Sequence, residues 1–269
     1  MNTILREFIP ALKVEFQKVR RTKTLWLTVF GFVLATAIGG LFMYILKDPE
    51  RARRLGIIGA KAQIFGGKAD WPSFFNFMLL LVSLGGLIIF GFIFVWIFGR
   101  EYSDKTYYDL LSLPTSRVTI VIAKIITAAY WCIALVLLVF VLTLGAGAAL
   151  QLPGWSSAVT MHGLRFLLGT GALTLLTCIP FALLASITRG YLPAVGGIFL
   201  ALILGQIVSQ IGYGQYFPWM IPMMYSGAAE ALSGKTGAPI GFVSYLLVAL
   251  VGVVGIVVTG AWWRNADQT

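Results

Sequence analysis

Eight residues near the C-terminus come close to a nucleotide-binding pattern. The stretch Ala229-Glu-Ala-Leu-Ser-Gly-Lys-Thr236 would match the phosphate-binding P-loop if Ala229 were glycine. A P-loop follows a buried strand and opens a helix whose N-terminus holds phosphate, whereas this stretch follows an aromatic segment and runs into Pro239. We interpret it as a chance match and expect no nucleotide to bind this chain.

Side chains suited to catalysis or metal binding are sparse. His162 is the only histidine, so no metal cluster or catalytic dyad centred on histidine can form within one chain. Cys132 and Cys178 both lie in apolar runs and do not indicate a structural disulfide. The predicted outer loops carry too few carboxylates for a hydrolase. We predict that the chain is not an enzyme and holds no metal or other cofactor.

A polar stretch between two long apolar runs carries its own helix signals. It extends from Phe98 to Arg117. Thr106 and Asp109 have the spacing of a capping box, and Pro114 forbids continuation of a helix. The pattern predicts a short helix at the membrane surface on which a partner docks.

Apolar runs long enough to cross a bilayer, which takes about 20 helical residues, occur six times. They cover residues 25–46, 74–98, 118–150, 164–187, 191–211 and 240–263. The chain is 59% hydrophobic and 11% charged, whereas soluble domains are about 25% charged. The runs lack the period-2 alternation of an outer-membrane barrel. The predicted fold class is an all-α integral membrane protein, with residues 1–269 as one transmembrane domain.

The net charge of +10 is better explained by membrane topology than by a surface that binds nucleic acid. Basic residues prefer cytoplasmic flanks, and with the N-terminus inside, 12 of the 20 basic residues lie on inner segments. Six of the others lie in the first outer loop, which weakens the rule. We favour cytoplasmic N- and C-termini, contact with membrane lipid, and no nucleic-acid partner.

Residues 4–21 predict an amphipathic helix that lies in the membrane interface. One face carries Leu5, Phe8, Leu12, Phe16 and Val19, and another carries Arg6, Lys13, Gln17 and Arg20. Pro10 should kink this helix or mark a second start. A simpler reading is a positively charged topology anchor.

The segment 212–239, before the last span, is too apolar for a free loop and too interrupted by prolines to span. It predicts a re-entrant or interfacial hairpin on the outer side. An ordinary aromatic belt is the alternative.

The predicted spans carry no Asp, Glu or Arg in their central portions, and Lys124 lies near the inner end of the third. Secondary transporters usually need ionisable groups at membrane depth, so an energy source on another polypeptide is favoured. A small-residue stripe at Gly197, Ala201, Gly205 and Ser209 permits close packing, within the chain or at a homodimer seam. Gln206, Ser209 and Gln210 are candidates for lining a polar substrate pathway.

Together, these features resemble the type-2 ABC exporter permeases. Gly99-Arg-Glu101, Thr106, Leu110-Leu111-Ser112, Pro114, Ser116-Arg117 and Lys124 are most similar to the segment after span two in bacitracin-resistance and lantibiotic-immunity permeases. The resemblance covers nearly the whole chain.

The resemblance implies a half-transporter without its own ATPase, in which two permease chains, identical or related, pair with two separate ATP-binding subunits. ATP and magnesium would bind in those subunits. The segment 100–117 would be the coupling helix and helix 4–21 the connecting helix. Tyr107, Tyr108, Leu110 and Leu111 would supply apolar surface to the ATP-binding subunit, and the charged side chains would set the register of that contact. The full set of coupling residues would be Glu101, Asp104, Lys105, Thr106, Tyr107, Tyr108, Asp109, Leu110 and Leu111.

The function expected from this resemblance is ATP-driven export, or extraction from the membrane, of an amphipathic compound such as a peptide antibiotic, a drug or a lipid-linked molecule. The expected location is a bacterial plasma membrane. The alternative is a non-transporting membrane scaffold or immunity protein that sequesters a peptide or recruits a cytosolic partner.

Overall fold

The computed structural model describes residues 2–48, 68–103, 116–227 and 240–265. Helices dominate these ranges, and no strand occurs within them. In chain order they are α1 (Asn2–Arg20), α2 (Lys23–Leu46), α3 (Trp71–Ser103), α4 (Arg117–Ala149), α5 (Ser157–Cys178), α6 (Pro180–Ile187), α7 (Leu192–Gln210), α8 (Ile221–Tyr225) and α9 (Phe242–Asn265), with a 3₁₀ turn at Gly214–Tyr216.

Within the residues that the structure describes, six stretches are long and apolar enough to cross a membrane, which confirms the predicted number. They are α2, α3, α4, the α5–α6 pair as Ser157–Ile187, α7 and α9. Four of them begin and end within two residues of the predicted apolar runs. Span two begins at Trp71 and continues to Ser103, beyond the predicted end at Phe98, and span four begins at Ser157 rather than at Leu164.

The early start of span four has a local cause that hydropathy does not register. The Ser156 side chain accepts a hydrogen bond from the backbone N–H of Val159 at 3.1 Å. This N-cap satisfies one of the free donors of the first turn. Near the other end of the span, Pro180 lacks an N–H and separates α5 from α6.

Helix α3 forms the centre of the bundle. Phe74, Phe90 and Phe94 on this helix are completely buried, and α3 contacts α2, α4, α5, α6 and α7. By contrast, α2 and α7 leave broad apolar faces uncovered, which suits lipid contact. One continuous apolar core links α3 with helices on all sides.

Small residues let the outer helices approach this centre closely. A Cβ added at Gly39 of α2 would collide with the Phe77 ring of α3, and one at Gly197 of α7 would collide with the Leu184 side chain of α6. Ala201 of the same stripe is also buried. The stripe in α7 therefore serves packing within the chain.

Helix α1 packs along α4 at one end of the bundle. It runs without interruption through Pro10, so the predicted second start does not occur. We call this end of the bundle the α1 end. It also contains the start of α2, the end of α3, the starts of α4 and α7, and the end of α9. The other end is called the opposite end.

At the opposite end, the described part of the segment before α9 folds as the 3₁₀ turn and α8. Met220 and Met223 are buried there and pack against Leu80 and Leu84 of α3. The remainder of the predicted hairpin, residues 228–239, and the P-loop-like stretch within it lie outside the described residues. The re-entrant geometry stays a prediction.

Candidate functional site: a buried charged cluster at the α1 end

Four charged side chains from three helices meet inside the α1 end. Lys124 of α4 contacts the Glu101 carboxylate of α3 at 2.7 Å and the Glu15 carboxylate of α1 at 3.2 Å. Lys18 of α1 contacts the same two carboxylates, at 2.7 Å from Glu15 and 3.2 Å from Glu101. Two positive and two negative charges give the cluster a formal charge of zero.

Lys124 is the centre of this cluster and is completely buried. Besides the two carboxylates, its ammonium group donates a hydrogen bond to the backbone carbonyl of Ile97 at 3.2 Å. The same Nζ lies 5.8 Å from the centre of the Phe98 ring. An ammonium donates at most three hydrogen bonds, and all three are used here. Each bond joins α4 to α1 or α3.

Glu15 connects α1 to the spans. Burial raises the pKa of its carboxyl, but the positive charges of Lys124 and Lys18 and their hydrogen bonds outweigh this effect, so the pKa lies below its ordinary value. The carboxylate is therefore charged at neutral pH. A buried charge of this kind is tolerated only when it is paired and hydrogen-bonded.

Glu101 occupies a different place from the one predicted. The sequence predicts that it contacts a partner at the surface of the coupling segment, whereas it lies inside the end of α3 with 1% of its surface exposed. Its Oε1 atom accepts from both lysines, whereas its buried Oε2 has no hydrogen-bond partner among the described residues. Residues 100–103 continue the α3 helix, and the rest of the predicted coupling segment up to residue 115 lies outside the described residues, so its coupling role stays a prediction.

The other predicted coupling residues lie outside the described residues. They are Asp104, Lys105, Thr106, Tyr107, Tyr108, Asp109, Leu110 and Leu111. The structure does describe both attachment points of their segment. The segment leaves α3 after Ser103, two residues beyond Glu101, and rejoins the bundle at Ser116. The Ser116 side chain caps α4 by accepting a hydrogen bond from the Thr119 N–H at 3.1 Å.

Trp263 near the end of α9 provides a second fastening at the α1 end. Its indole N–H donates to the Ser186 hydroxyl of α6 at 3.0 Å, and both side chains are buried. Its backbone carbonyl accepts from the Arg117 guanidinium at 3.3 Å. The Phe98 and Tyr102 rings of α3 meet its ring edge to face, with centres 6.1 and 6.3 Å away. The last span is thereby tied to the end of α3 and the start of α4.

The predicted substrate-pathway residues lie far from this cluster. Gln206, Ser209 and Gln210 are in the last turns of α7, at the opposite end. Gln206 and Gln210 are exposed, and the Gln206 amide nitrogen lies 3.8 Å from the Met223 sulfur. Their role in a pathway stays a prediction.

Sequence reasoning missed Glu15, although a signal for it exists. Phe8, Leu12, Glu15 and Val19 repeat at intervals of four, three and four, which places Glu15 within the apolar stripe of α1. A carboxylate on such a stripe needs a buried positive partner. Lys124 is the only lysine inside a predicted span, but the sequence does not identify its partners, because these depend on the packing of α1 on α4.

The cluster has the composition of an ion-pair network rather than of a metal site. Within the described ranges, no three His, Cys, Asp or Glu side chains lie close enough together to hold a metal ion. The two carboxylates are already occupied by ammonium groups. The arrangement holds three helices in one fixed relation.

Comparison with known proteins identifies similar chains. Residues 11–207, about three quarters of the chain, match the family described as ABC-2 family transporter protein. The chain is also 27% identical over 191 residues to a bacitracin transport permease protein, BCRB, of Bacillus licheniformis. That alignment covers 70% of this chain and 88% of the relative.

Proposed function

This chain belongs to the ABC-2 transporter family and is a multi-pass permease subunit similar to bacitracin-resistance permeases; we propose that it exports an amphipathic substrate, or extracts it from the membrane, in an ATP-driven complex. Residues 1–269 form one permease domain. ATP and magnesium bind in a separate ATP-binding subunit. The name of the bacitracin permease supports a peptide antibiotic as the substrate class.

The observation that carries the proposal is the charged cluster that joins α1, α3 and α4. The segment 104–115 leaves α3 two residues after Glu101 and returns to α4 at Ser116. A force applied to that segment by a cytosolic ATPase would act directly on the ends of two spans. Because the cluster ties these ends to α1, the three helices move as one unit. The segment 104–115 is therefore our candidate for the coupling element, and α1 for the connecting helix in the membrane interface.

This role requires the α1 end to face the cytoplasm. The exposed basic residues Arg20, Arg21 and Arg264 at this end agree with the preference of basic residues for the cytoplasmic side. Both termini are then cytoplasmic, and the protein lies in a bacterial plasma membrane. Gln206 and Gln210 then lie near the outer surface.

A second permease chain would complete the transporter. Helix α7 leaves Phe199, Ile203 and Ile207 exposed beside the two glutamine amides. Each of these exposed amides near the outer end of α7 can donate and accept hydrogen bonds with a polar substrate. We propose that this face borders the substrate pathway between two permease chains, which are either identical or related.

The proposal is tested by purifying the tagged protein in mild detergent from its native host, identifying the copurified subunits and measuring ATP hydrolysis. The test variant carries Leu110→Asp and Leu111→Asp together, and the control carries Arg264→Asp, a charge change at an exposed position of the α1 end. We expect an ATP-binding subunit to copurify with the wild type and with the control, and to be lost from the Leu110/Leu111 variant while the permease keeps its elution volume.

Two results would contradict this proposal. Retention of the ATPase by the Leu110/Leu111 variant would refute the coupling role of segment 104–115. A wild-type protein that purifies alone and without ATPase activity, under conditions that preserve membrane complexes, would favour the scaffold or immunity protein.

A further inference from the structure

A cavity of about 600 Å³ opens at the opposite end of the bundle. Its walls come from the start of α3, the start of α5, the end of α8 and the two residues that follow α8. This volume is within the range of about 300–1,000 Å³ typical of sites for small ligands. The cavity lies within one chain and at the other end of the molecule from the charged cluster.

A column of aromatic rings forms one side of the cavity. His162 and Phe166 are four residues apart on α5, and their rings stack with centres 4.3 Å apart and planes inclined by 25°. Phe166 stacks in turn on Tyr225, with centres 5.3 Å apart and planes inclined by 24°. Tyr245 of α9 meets Tyr225 edge to face at 6.3 Å. His162 is exposed at the mouth of the cavity and ends the column.

The cavity changes from apolar inside to polar at its mouth. Phe75 and Leu79 of α3 form a buried inner wall, whereas Asn76 and His162 are exposed. Gly163 allows the Phe75 ring to lie directly on the α5 backbone, because an added Cβ would come within 2.5 Å of that ring. None of the described residues that line the cavity is Asp, Glu, Lys or Arg. A charged group of a ligand would therefore have no oppositely charged side chain to pair with in the described walls.

We propose that this cavity binds the uncharged, ring-bearing end of an amphipathic compound and leaves the polar part of that compound at the mouth. The inference rests on the proposed transport function, for which it supplies an outer binding site for the substrate. Three stacked rings favour a planar group, since aromatic pairs prefer such stacking and contribute beyond their buried area. Asn76 and His162 can hydrogen-bond the polar part.

The test uses a benzophenone-bearing alkyl glycoside, an uncharged amphiphile with one aromatic end, and the full-length permease in lipid nanodiscs. After illumination, mass spectrometry maps the labelled residues. We expect labelling to concentrate in residues 72–79 and 158–166 rather than on the exposed face of α7. The same glycoside without the benzophenone should compete poorly, since it lacks the ring.

Three variants make the test specific. Ala158→Trp places a large side chain at an exposed position of the lining and should reduce labelling of the cavity by about tenfold. His162→Ala removes the end of the column and should reduce labelling by about threefold to tenfold. Arg165→Ala changes an exposed residue of the same helix outside the lining and should leave labelling within about twofold of the wild type.

The inference fails if the label spreads evenly over the lipid-facing helices, or if Ala158→Trp labels like the wild type. It also fails if the ring-free glycoside displaces the probe equally well, because the cavity would then accept any alkyl chain. These outcomes are independent of copurification with an ATPase, so failure of the binding site and failure of the transporter proposal can be told apart.

Discussion

Replacing Lys124 with methionine tests the charged cluster most directly. The substitution keeps an unbranched side chain of similar length and removes the ammonium group. It leaves the Glu15 and Glu101 carboxylates facing each other, with only the partly exposed Lys18 to balance them. The Ile97 carbonyl also loses the hydrogen bond from Lys124.

The expected cost follows from the distances. At an effective dielectric constant of about 20, the Lys124–Glu101 contact at 2.7 Å corresponds to about 6 kcal/mol of attraction, and the Lys124–Glu15 contact at 3.2 Å to about 5 kcal/mol. The energy of removing Lys124 from water offsets much of this attraction. Loss of one partner from a buried pair typically costs about 3–5 kcal/mol, because the remaining charge stays buried.

The assay is thermal unfolding of the purified permease in detergent, followed by the fraction that remains monodisperse after heating. For a chain of this size, the expected loss lowers the apparent midpoint by on the order of 10 °C. The matched control is Ile126→Met, which introduces methionine two residues further along α4 at a position that is 41% exposed. A third variant combines Lys124→Met with Glu15→Gln and Glu101→Gln, and should recover most of the lost stability because no unpaired carboxylate remains.

Two results would refute this reasoning. If Lys124→Met unfolds at the same temperature as Ile126→Met, the ion pairs do not hold the helices together. If the triple variant is no more stable than Lys124→Met alone, the loss comes from packing around the side chain rather than from unpaired charge.

Three further predictions concern pH, a buried hydrogen bond and helix packing. Folding lowers the pKa of the Glu15 carboxyl. The contribution of this carboxylate to stability should therefore be complete above its ordinary pKa of 4.5 and should disappear as the pH falls through the lowered value. The difference in unfolding midpoint between the wild type and Glu15→Gln should shrink on acidification and stay constant from about pH 6 to 8. Trp263→Phe leaves the Ser186 hydroxyl without its donor and should cost about 1–3 kcal/mol, measured as a lower denaturation midpoint than that of the wild type, whereas equal midpoints would exclude a role for this bond. Gly39→Ala should lower the unfolding temperature, because the added Cβ collides with the Phe77 ring of the central helix α3. In the control Gly85→Ala nothing lies within 4 Å of the added Cβ, so the unfolding temperature should stay unchanged or rise. The reverse order would contradict the packing described above.

Hydrophobic run length was sufficient to predict six spans, because each helix satisfies its own backbone hydrogen bonds and hydrocarbon selects for uninterrupted apolar residues. The same criterion misplaced two helix boundaries by several residues, the start of span four and the end of span two. At the start of span four it overlooked the cap at Ser156. At the end of span two it treated the polar residues after Phe98 as a separate segment, although Glu101 lies inside the bundle and is neutralised there.

The aromatic column shows a similar limit. The spacing of His162 and Phe166 allows the two rings to meet on one helix, but a lone histidine in the sequence carried no functional signal. Tyr225 lies about sixty residues later and joins the column only because α8 folds back onto α3 and α5. A contact between residues so distant in the chain depends on the packing of whole helices.

The sequence by itself determined the membrane class, the number of spans and the transporter family, because these depend on local composition and on short motifs. The position of each buried charge was decided only by the tertiary structure. Glu15, Glu101 and Lys124 are far apart in the chain, and each alone would be unstable in an apolar interior. Their pairing required α1 to pack on α4 beside the end of α3, where two lysines and two carboxylates cancel one another's charge.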